Sequence, residues 1–333
     1  MSASKSGSHV SSACDPLLVS MHLHHSGEFY PYGFPAVIRS NSPLVISAAQ
    51  ESWGGWTKRF DETAVEVRCM VAESSATECP PAAPVFRAQG HLLTAVADRE
   101  NYFCCDLQRG FGFAWVTQAA AEDTGYLRYH VIEAITSTLM ETVHLASVHA
   151  ACLVLDGHGV LLAGDSGAGK SSLAYACARR GWTYCSDDAS SVVRRGDGRT
   201  VIGTPDVFRF RSTAGELFPE FRGMKDSRRG NGKPTIEVRT SSLPTIRTTA
   251  EARIDCIVLL DRGGHGAVRL RRVPASETLS RLYSCPWPAE LAFTEDQRAA
   301  VQRLAGAPAH ELHYRDLDSA VDRLEQLVRG GLQ

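Results

Sequence analysis

Charge of one sign is missing: across 333 residues, 35 Lys and Arg oppose 37 Asp and Glu, a formal net charge of −2. No overall field therefore draws nucleic acid or an anionic membrane surface to this chain. No run approaches the roughly 18 consecutive apolar residues of a membrane span. Residues 1–12 are polar and Ser-rich and lack the charged start and apolar middle of a secretory signal. A cytoplasmic location is expected, with no membrane and no nucleic-acid partner. No C-x-x-C pair occurs among the ten cysteines, Cys14, Cys69, Cys79, Cys104, Cys105, Cys152, Cys177, Cys185, Cys256 and Cys285. Several lie in apolar runs, so buried free thiols are expected rather than zinc ligands or a disulfide framework. Internal repeats are absent too. What remains, 44% hydrophobic and 22% charged residues, is ordinary globular composition. The length is about twice the roughly 150 residues of one domain, which predicts two packed units.

The N-terminal part, residues 1–34, is expected to be flexible. From 35 to 125 the pattern predicts a β-rich domain. Val65, Val67, Cys69 and Val71 fall on one face at period two, and short strand-like runs follow at 91–96, 102–107 and 111–116. These predict a small, mainly antiparallel sheet, with the Pro-rich 79–84 as a loop. Over 126–146, Leu127, Val131, Ile135, Leu139 and Val143 recur every four residues, the signature of a connecting helix. Residues 147–333 are expected to form the second domain. There, two apolar runs, 151–155 and 160–163, flank Asp156-Gly157-His158-Gly159 and predict a hairpin. Further on, residues 277–283 read as helix, 311–314 as a short strand and 317–328 as an amphipathic helix.

The strongest signal is Gly164-Asp165-Ser166-Gly167-Ala168-Gly169-Lys170-Ser171, a complete G-x-x-x-x-G-K-S between an apolar strand and a helix over 172–180. Its glycines let successive backbone N–H groups turn toward phosphate oxygens. Lys170 can reach the terminal phosphates, Ser171 can ligate magnesium, and the helix N-terminus, with Ser172 in its first turn, favours the anion. Gly181 is the expected C-cap. ATP and magnesium are the implied cofactors. Seventeen residues past Lys170, an apolar run ends in Asp187-Asp188. One acid there suits a magnesium ligand and the other a base that accepts a hydroxyl proton; a solvated turn has the same pattern. His149, just ahead of the hairpin, can reach the acidic pair if its strand lies beside the P-loop strand, and is otherwise a core histidine. Ile257-Val258-Leu259-Leu260-Asp261 reads as a structural strand, since Asp187 and Asp188 already fill the metal role. His22, His24 and His25 have no further ligand in evidence and are not taken as a metal site.

The stretch 148–193, with His149-Ala150-Ala151, Gly164 to Ser171, Arg180-Gly181 and Ser186-Asp187-Asp188-Ala189, resembles the catalytic domain of HPr kinase/phosphorylase and its relatives. That family shares a P-loop fold with phosphoenolpyruvate carboxykinase. The resemblance implies an α/β catalytic domain of this kind behind the smaller β-rich N-terminal domain. It implies Asp187 as the base that deprotonates a serine hydroxyl, His149 tuning or orienting it, Ser171 and Asp188 at the metal, and Lys170 at the β and γ phosphates. The family's E-I-R-G-L-G segment, which supplies a metal-binding glutamate and part of the phosphorolysis machinery, is missing. Phe208-Arg209-Phe210-Arg211-Ser212-Thr213 occupies its place. In this the chain looks more like divergent HPr-kinase-related proteins, some of which phosphorylate a serine on a ribosomally made peptide. The implied partner is a peptide or protein bearing a serine hydroxyl, other than HPr. The resemblance leaves a homo-oligomer open, although no interface signature stands out.

Between Asp206 and Thr240, eight basic residues oppose five acids. Residues 223–234 read as a mobile loop able to bring cations to the transferred group or to an acidic substrate, or simply as a solvated one. Two other function classes compete with a kinase: a regulatory NTPase whose attacking group is water, and a nucleotide-dependent binding module. No L-S-G-G-Q-like or N-K-x-D-like signature accompanies the P-loop, against a transporter ATPase or a small GTPase.

Overall fold

Val65, Val67, Cys69 and Val71 are buried along one strand, Val65–Ala72, while their neighbours are half exposed. In the computed structural model, which describes residues 21–73, 79–224, 227–228, 234–263, 267–283 and 294–332, the chain divides into two compact units between Val143 and His144. The first unit runs β1 (His25–Phe29), β2 (Ala36–Ser40), α1 (Pro43–Trp53), β3 (Val65–Ala72), β4 (Val85–Gln89), β5 (Leu92–Val96), β6 (Tyr102–Asp106) and β7 (Phe111–Thr117). α2 (Gln118–Glu122), α3 (Thr124–Tyr126), a π-helical stretch Leu127–Glu133 and α4 (Ala134–Val143) follow.

Its sheet has the order β1-β2-β3-β7-β6-β5-β4. The expectation of a mainly antiparallel sheet holds at both rims, but the centre is parallel: β3 pairs in parallel with β2 and with β7. Parallel neighbours need a crossover, and between β2 and β3 this is α1, which the strand-like reading of this region overlooks. Its start is nonetheless written in the sequence: the Ser42 hydroxyl accepts from the Leu44 N–H, and Pro43 takes the first helical position. A flexible segment over 1–34 is corrected at its end, where β1 pairs with β2 from His25↔Ser40 to Phe29↔Ala36. Residues 1–20 lie outside the described residues.

The helix expected over 126–146 ends at Val143, and Leu145–Val148 is instead a strand. Leu127, Val131, Ile135 and Leu139 are buried as their spacing requires. A strict four-residue repeat drifts around an α-helix; the wider π turn over 127–133 takes up part of that drift.

The second unit runs β8 (Leu145–Val148), β9 (Ala150–Leu155), β10 (His158–Ala163), α5 (Lys170–Arg179), β11 (Thr183–Ser186), β12 (Ser190–Val193), β13 (Thr200–Ile202), β14 (Val207–Phe210) and α6 (Ala214–Leu217). It continues through β15 (Ser227–Arg228), β16 (Pro234–Arg239), β17 (Arg247–Thr248), β18 (Glu251–Asp261), β19 (Arg269–Val273), α7 (Ala275–Leu282), α8 (Glu295–Ala305), β20 (Ala309–His313) and α9 (Leu317–Arg329). The large sheet has the order β17-β11-β9-β10-β18-β13-β12-β8, with β20 beside β18 and β19 beside β20. β9 and β10 form the expected hairpin.

The apolar runs of β10 and β18 are buried on both faces, as central strands require. Val160, Leu162, Cys256, Val258 and Leu260 pack with α5 and α9, while Leu161, Ala163, Ile257 and Leu259 pack with α7 and α8. The result is a mixed α/β unit with helices on both sides of the sheet. α8 is a helix the sequence reading omits, although Thr294 and Gln297 form a reciprocal capping box at its start. Cys69, Cys105, Cys152, Cys177, Cys185 and Cys256 are buried free thiols; Cys14 and Cys285 lie outside the described residues.

Candidate active site

Strand register brings the sequence signals to one end of the sheet. β10 ends at Ala163, opposite Ala150 on β9 and beside Leu259 on β18. Gly164 therefore leaves the sheet where His149 enters it. β11 runs antiparallel to β9, with Ser186 opposite Cys152, so Asp187 and Asp188 leave at the same end. β12 then pairs with β8, Ser190 opposite Val148. His149 is thus the joint between β8 and β9, and residues 187–189 are the joint between β11 and β12, side by side. Buried Ser190 fixes this corner by donating to the Ala150 carbonyl at 3.0 Å and meeting the Ser186 hydroxyl at 2.6 Å.

The loop itself has the geometry its glycines permit. Gly167 and Gly169 have φ of +97° and +93°, a region that any side chain would strain. A Cβ at Gly169 would also run into the Tyr314 hydroxyl. Gly169 is the N-cap of α5 and has no side chain to cap it, so the helix N-terminus is left to an anion. Lys170 is 6% exposed, its ammonium donating to the Gly164 carbonyl at 2.6 Å and the Asp165 carbonyl at 3.3 Å. Ser171 and Ser172 follow, half-buried, in the first turn. A cradle of bare backbone, a cation and an uncapped helix end suits a triphosphate, and Ser171 with Asp188 offers oxygen ligands of the kind magnesium takes.

The two acids differ in environment. Asp187 is 2% exposed. Burial pushes its carboxyl up to about 6, against the main-chain N–H of Arg209, which donates to Oδ2 at 2.6 Å, and the Arg209 charge; the neighbouring Asp188 adds to the rise. A carboxylate held near neutrality is what a general base needs. Asp188 is half-exposed, and its Oδ1 lies 3.2 Å from Nδ1 of His149. Residue spacing brings His149 to the acidic pair and the family resemblance implies that it tunes Asp187; the contact seen here is with Asp188. The reason is the corner geometry, in which Asp187 turns inward beneath β14 while Asp188 stays at the joint facing His149.

Motif reading gives no role at the site to several further residues. β14 alternates, with Phe208 and Phe210 buried and Val207 and Arg209 half-buried. Phe208 stacks on Tyr184 of β11 at 3.8 Å between ring centroids, and Tyr175 of α5 lies within 5.5 Å of both phenylalanines. Just past the strand, Nη2 of Arg211 donates to the Ser166 hydroxyl at 3.0 Å. Tyr314, 2% exposed, donates to the Ala168 carbonyl at 2.8 Å and props the loop from below. Only the period-two F-R-F-R pattern could have hinted at the first group, and nothing local hints at Tyr314. Of the basic loop over 223–234, residues 225–226 and 229–233 lie outside the described residues.

Asp261 ends β18 as an ordered acid rather than a bare strand end. Among the described residues, Asp261, Glu311 and His313 bring three ligand-type side chains together. His313 meets Asp261 through Nδ1 at 2.9 Å and Glu311 through Nε2 at 3.0 Å, and Arg271 clasps Glu311 at 2.7 Å. With both ring nitrogens engaged and a guanidinium on Glu311, this is a chain of polar contacts that ties β18 to β20. His22 and His24 meet only as rings, 4.5 Å apart.

Residues 141–211 match the HPr Serine kinase C-terminal domain. The HPr kinase/phosphorylase of Limosilactobacillus reuteri strain DSM 20016 and that of Limosilactobacillus reuteri subsp. reuteri strain JCM 1112 are each 39% identical over 75 residues, 22% of this chain and 23% of theirs. The chain thus spans about a quarter of the length of the relatives it matches. Among solved structures, the Hpr(Ser) kinase/phosphatase from Coxiella burnetii aligns with a TM-score of 0.30 at 14% identity, over 56% of this chain and 99% of that one. The segment from His149 to Arg211 is therefore HPr-kinase-like in sequence, and no helix among the described residues is long and apolar enough to cross a membrane.

Proposed function

We propose that this chain is an ATP- and magnesium-dependent kinase that transfers the γ-phosphoryl group to a serine hydroxyl of a peptide or protein other than HPr. It would work in the cytoplasm, on a catalytic domain of the HPr kinase and phosphoenolpyruvate carboxykinase kind. The observation that carries this reading is the buried Asp187, its Oδ2 held by the Arg209 main-chain N–H at 2.6 Å, at the same sheet end as an intact P-loop.

The loop amides and Lys170 hold the β and γ phosphates, and Ser171 and Asp188 would hold the metal. Bound magnesium would neutralise phosphate charge and align the terminal group. Asp187 takes the proton of the serine hydroxyl as the oxygen–phosphorus bond forms and the bond from phosphorus to the ADP oxygen breaks, releasing ADP. His149, on Asp188, keeps the metal-side carboxylate in place. With Phe208 to Thr213 where the family has E-I-R-G-L-G, the forward reaction keeps its base and phosphate site while phosphorolysis and HPr docking lose theirs. Acceptor choice would then rest on parts unlike the family's.

Incubating the protein with labelled ATP, magnesium and either cell extract or purified HPr, with Lys170→Ala as control, tests this. Labelled phosphoserine on a protein of the extract but not on HPr is expected, with at least a ~100-fold loss in the control. Release of phosphate to water alone would favour the NTPase reading. Stoichiometric phosphorylation of HPr, or its reversal by inorganic phosphate, would overturn the acceptor assignment.

A further inference from the structure

The F-R-F-R segment does more than fill a gap. Phe208 and Phe210 clamp β14 to Tyr175 on the helix that follows the P-loop and to Tyr184 on the strand that ends in Asp187. β14 is therefore fixed to both halves of the site at once. Its polar atoms reach both as well: the Arg209 amide holds Asp187, and two residues later the Arg211 guanidinium lies on Ser166. Two residues of extended chain span only about 6.6 Å, so one short segment reaches both Asp187 and the P-loop. Gly167 makes the approach easy: Nη2 and Nη1 of Arg211 lie 3.4 and 3.5 Å from where a Cβ at that position would be.

Arg211 is exposed, and among the described residues it has the Ser166 hydroxyl but no carboxylate partner. A guanidinium set beside a loop that already holds Lys170 is repelled until an anion arrives. The anion that the loop is shaped for is a polyphosphate. Lys170 begins α5, whereas Ser166 and Gly167 lie earlier in the loop, where Arg211 reaches them, and Arg209, two residues before Arg211, holds Asp187. We infer that Arg211 is a ligand of the terminal phosphate and a catalytic residue of the transfer, a cis-acting guanidinium supplied by the residue that follows β14. Its planar fork can take two phosphate oxygens at once and stabilises the charge that develops on them during transfer. This rests on the kinase reading above and adds to it the residue that distinguishes ATP from ADP.

Titration calorimetry of the full chain with magnesium ATP and magnesium ADP tests it. Arg211→Gln is expected to weaken ATP at least ~10-fold while ADP changes less than ~2-fold, and to lower transfer ~100-fold. Arg211→Lys, which keeps the charge but not the fork, should fall between. Arg329→Gln, a surface change, should match the parent. Equal weakening of ATP and ADP by Arg211→Gln would show a loop-shaping role, and unchanged ATP affinity a solvent arginine; either overturns the inference and leaves the kinase reading standing. A parent protein that binds neither nucleotide sinks both.

Discussion

The main-chain N–H of Arg209 donates to Oδ2 of Asp187 across 2.6 Å, so the acid proposed as base is oriented by backbone rather than by a side chain. Such a donor favours the ionised carboxylate, yet burial outweighs it and leaves Asp187 at about 6. The base is thus held in place and kept basic by two separate features, and each can be tested.

Asp187→Asn keeps an oxygen for the Arg209 amide but removes the base. Transfer should fall by ~10²–10⁴, with ATP affinity within ~3-fold of the parent by calorimetry. Stability should move the other way. A carboxyl raised to about 6 in the folded protein opposes folding above that pH, and this penalty fades as pH falls from about 6 toward about 4. At pH 8 the Asn variant should therefore melt higher, by a margin equivalent to at most ~3 kcal/mol. A melting difference that did not shrink by pH 4.5 would contradict the assignment.

The pH dependence of kcat/KM for ATP, which reports the free enzyme, should show a one-proton limb near pH 6, losing ~10-fold per unit below it. That limb belongs to Asp187, so it should vanish from the residual activity of Asp187→Asn. A profile flat from pH 5 to 8 in the parent would place the base elsewhere.

His149 touches Asp188, so its removal should be felt through the metal. Asp188→Asn is expected to raise the magnesium concentration for half-maximal activity ~10-fold, and His149→Gln by less, as for loss of an outer-shell partner. Neither should shift the limb near pH 6. If His149→Gln moved it, the histidine would act on Asp187 after all.

Tyr314→Phe deletes the bond to the Ala168 carbonyl and nothing else of the ring. A stability loss of ~1 kcal/mol is expected from thermal melts. ATP and ADP should weaken several-fold and equally, because the loop as a whole loses its prop. A selective effect on ATP would assign Tyr314 a role at the terminal phosphate.

The P-loop, the hairpin before it, Asp187-Asp188 and α9 could be read directly, because each is a local pattern. Hairpin chemistry at Asp156-Gly157, the glycine spacing of G-x-x-x-x-G-K-S and the 3.6-residue repeat of α9 all act over a few residues. β3 was legible for the same reason. α1 and α8 were signalled by caps but carried too little apolar periodicity to stand out. The parallel centre of the first sheet was not legible, since a period-two pattern says which face is buried and not which way the neighbour runs.

Sequence by itself determined which chemical groups this protein has: a G-x-x-x-x-G-K-S loop with its lysine, a pair of acids and a histidine, spaced so that each sits at a strand end. Tertiary structure alone decided which groups meet. It set His149 against Asp188, buried Asp187 beneath the Arg209 amide, brought Arg211 over Ser166 and placed Tyr314 under Ala168. Those contacts join residues 22 to 146 positions apart, and at such separations the pairing depends on strand register and on the packing of Phe208 and Phe210, which no local pattern encodes.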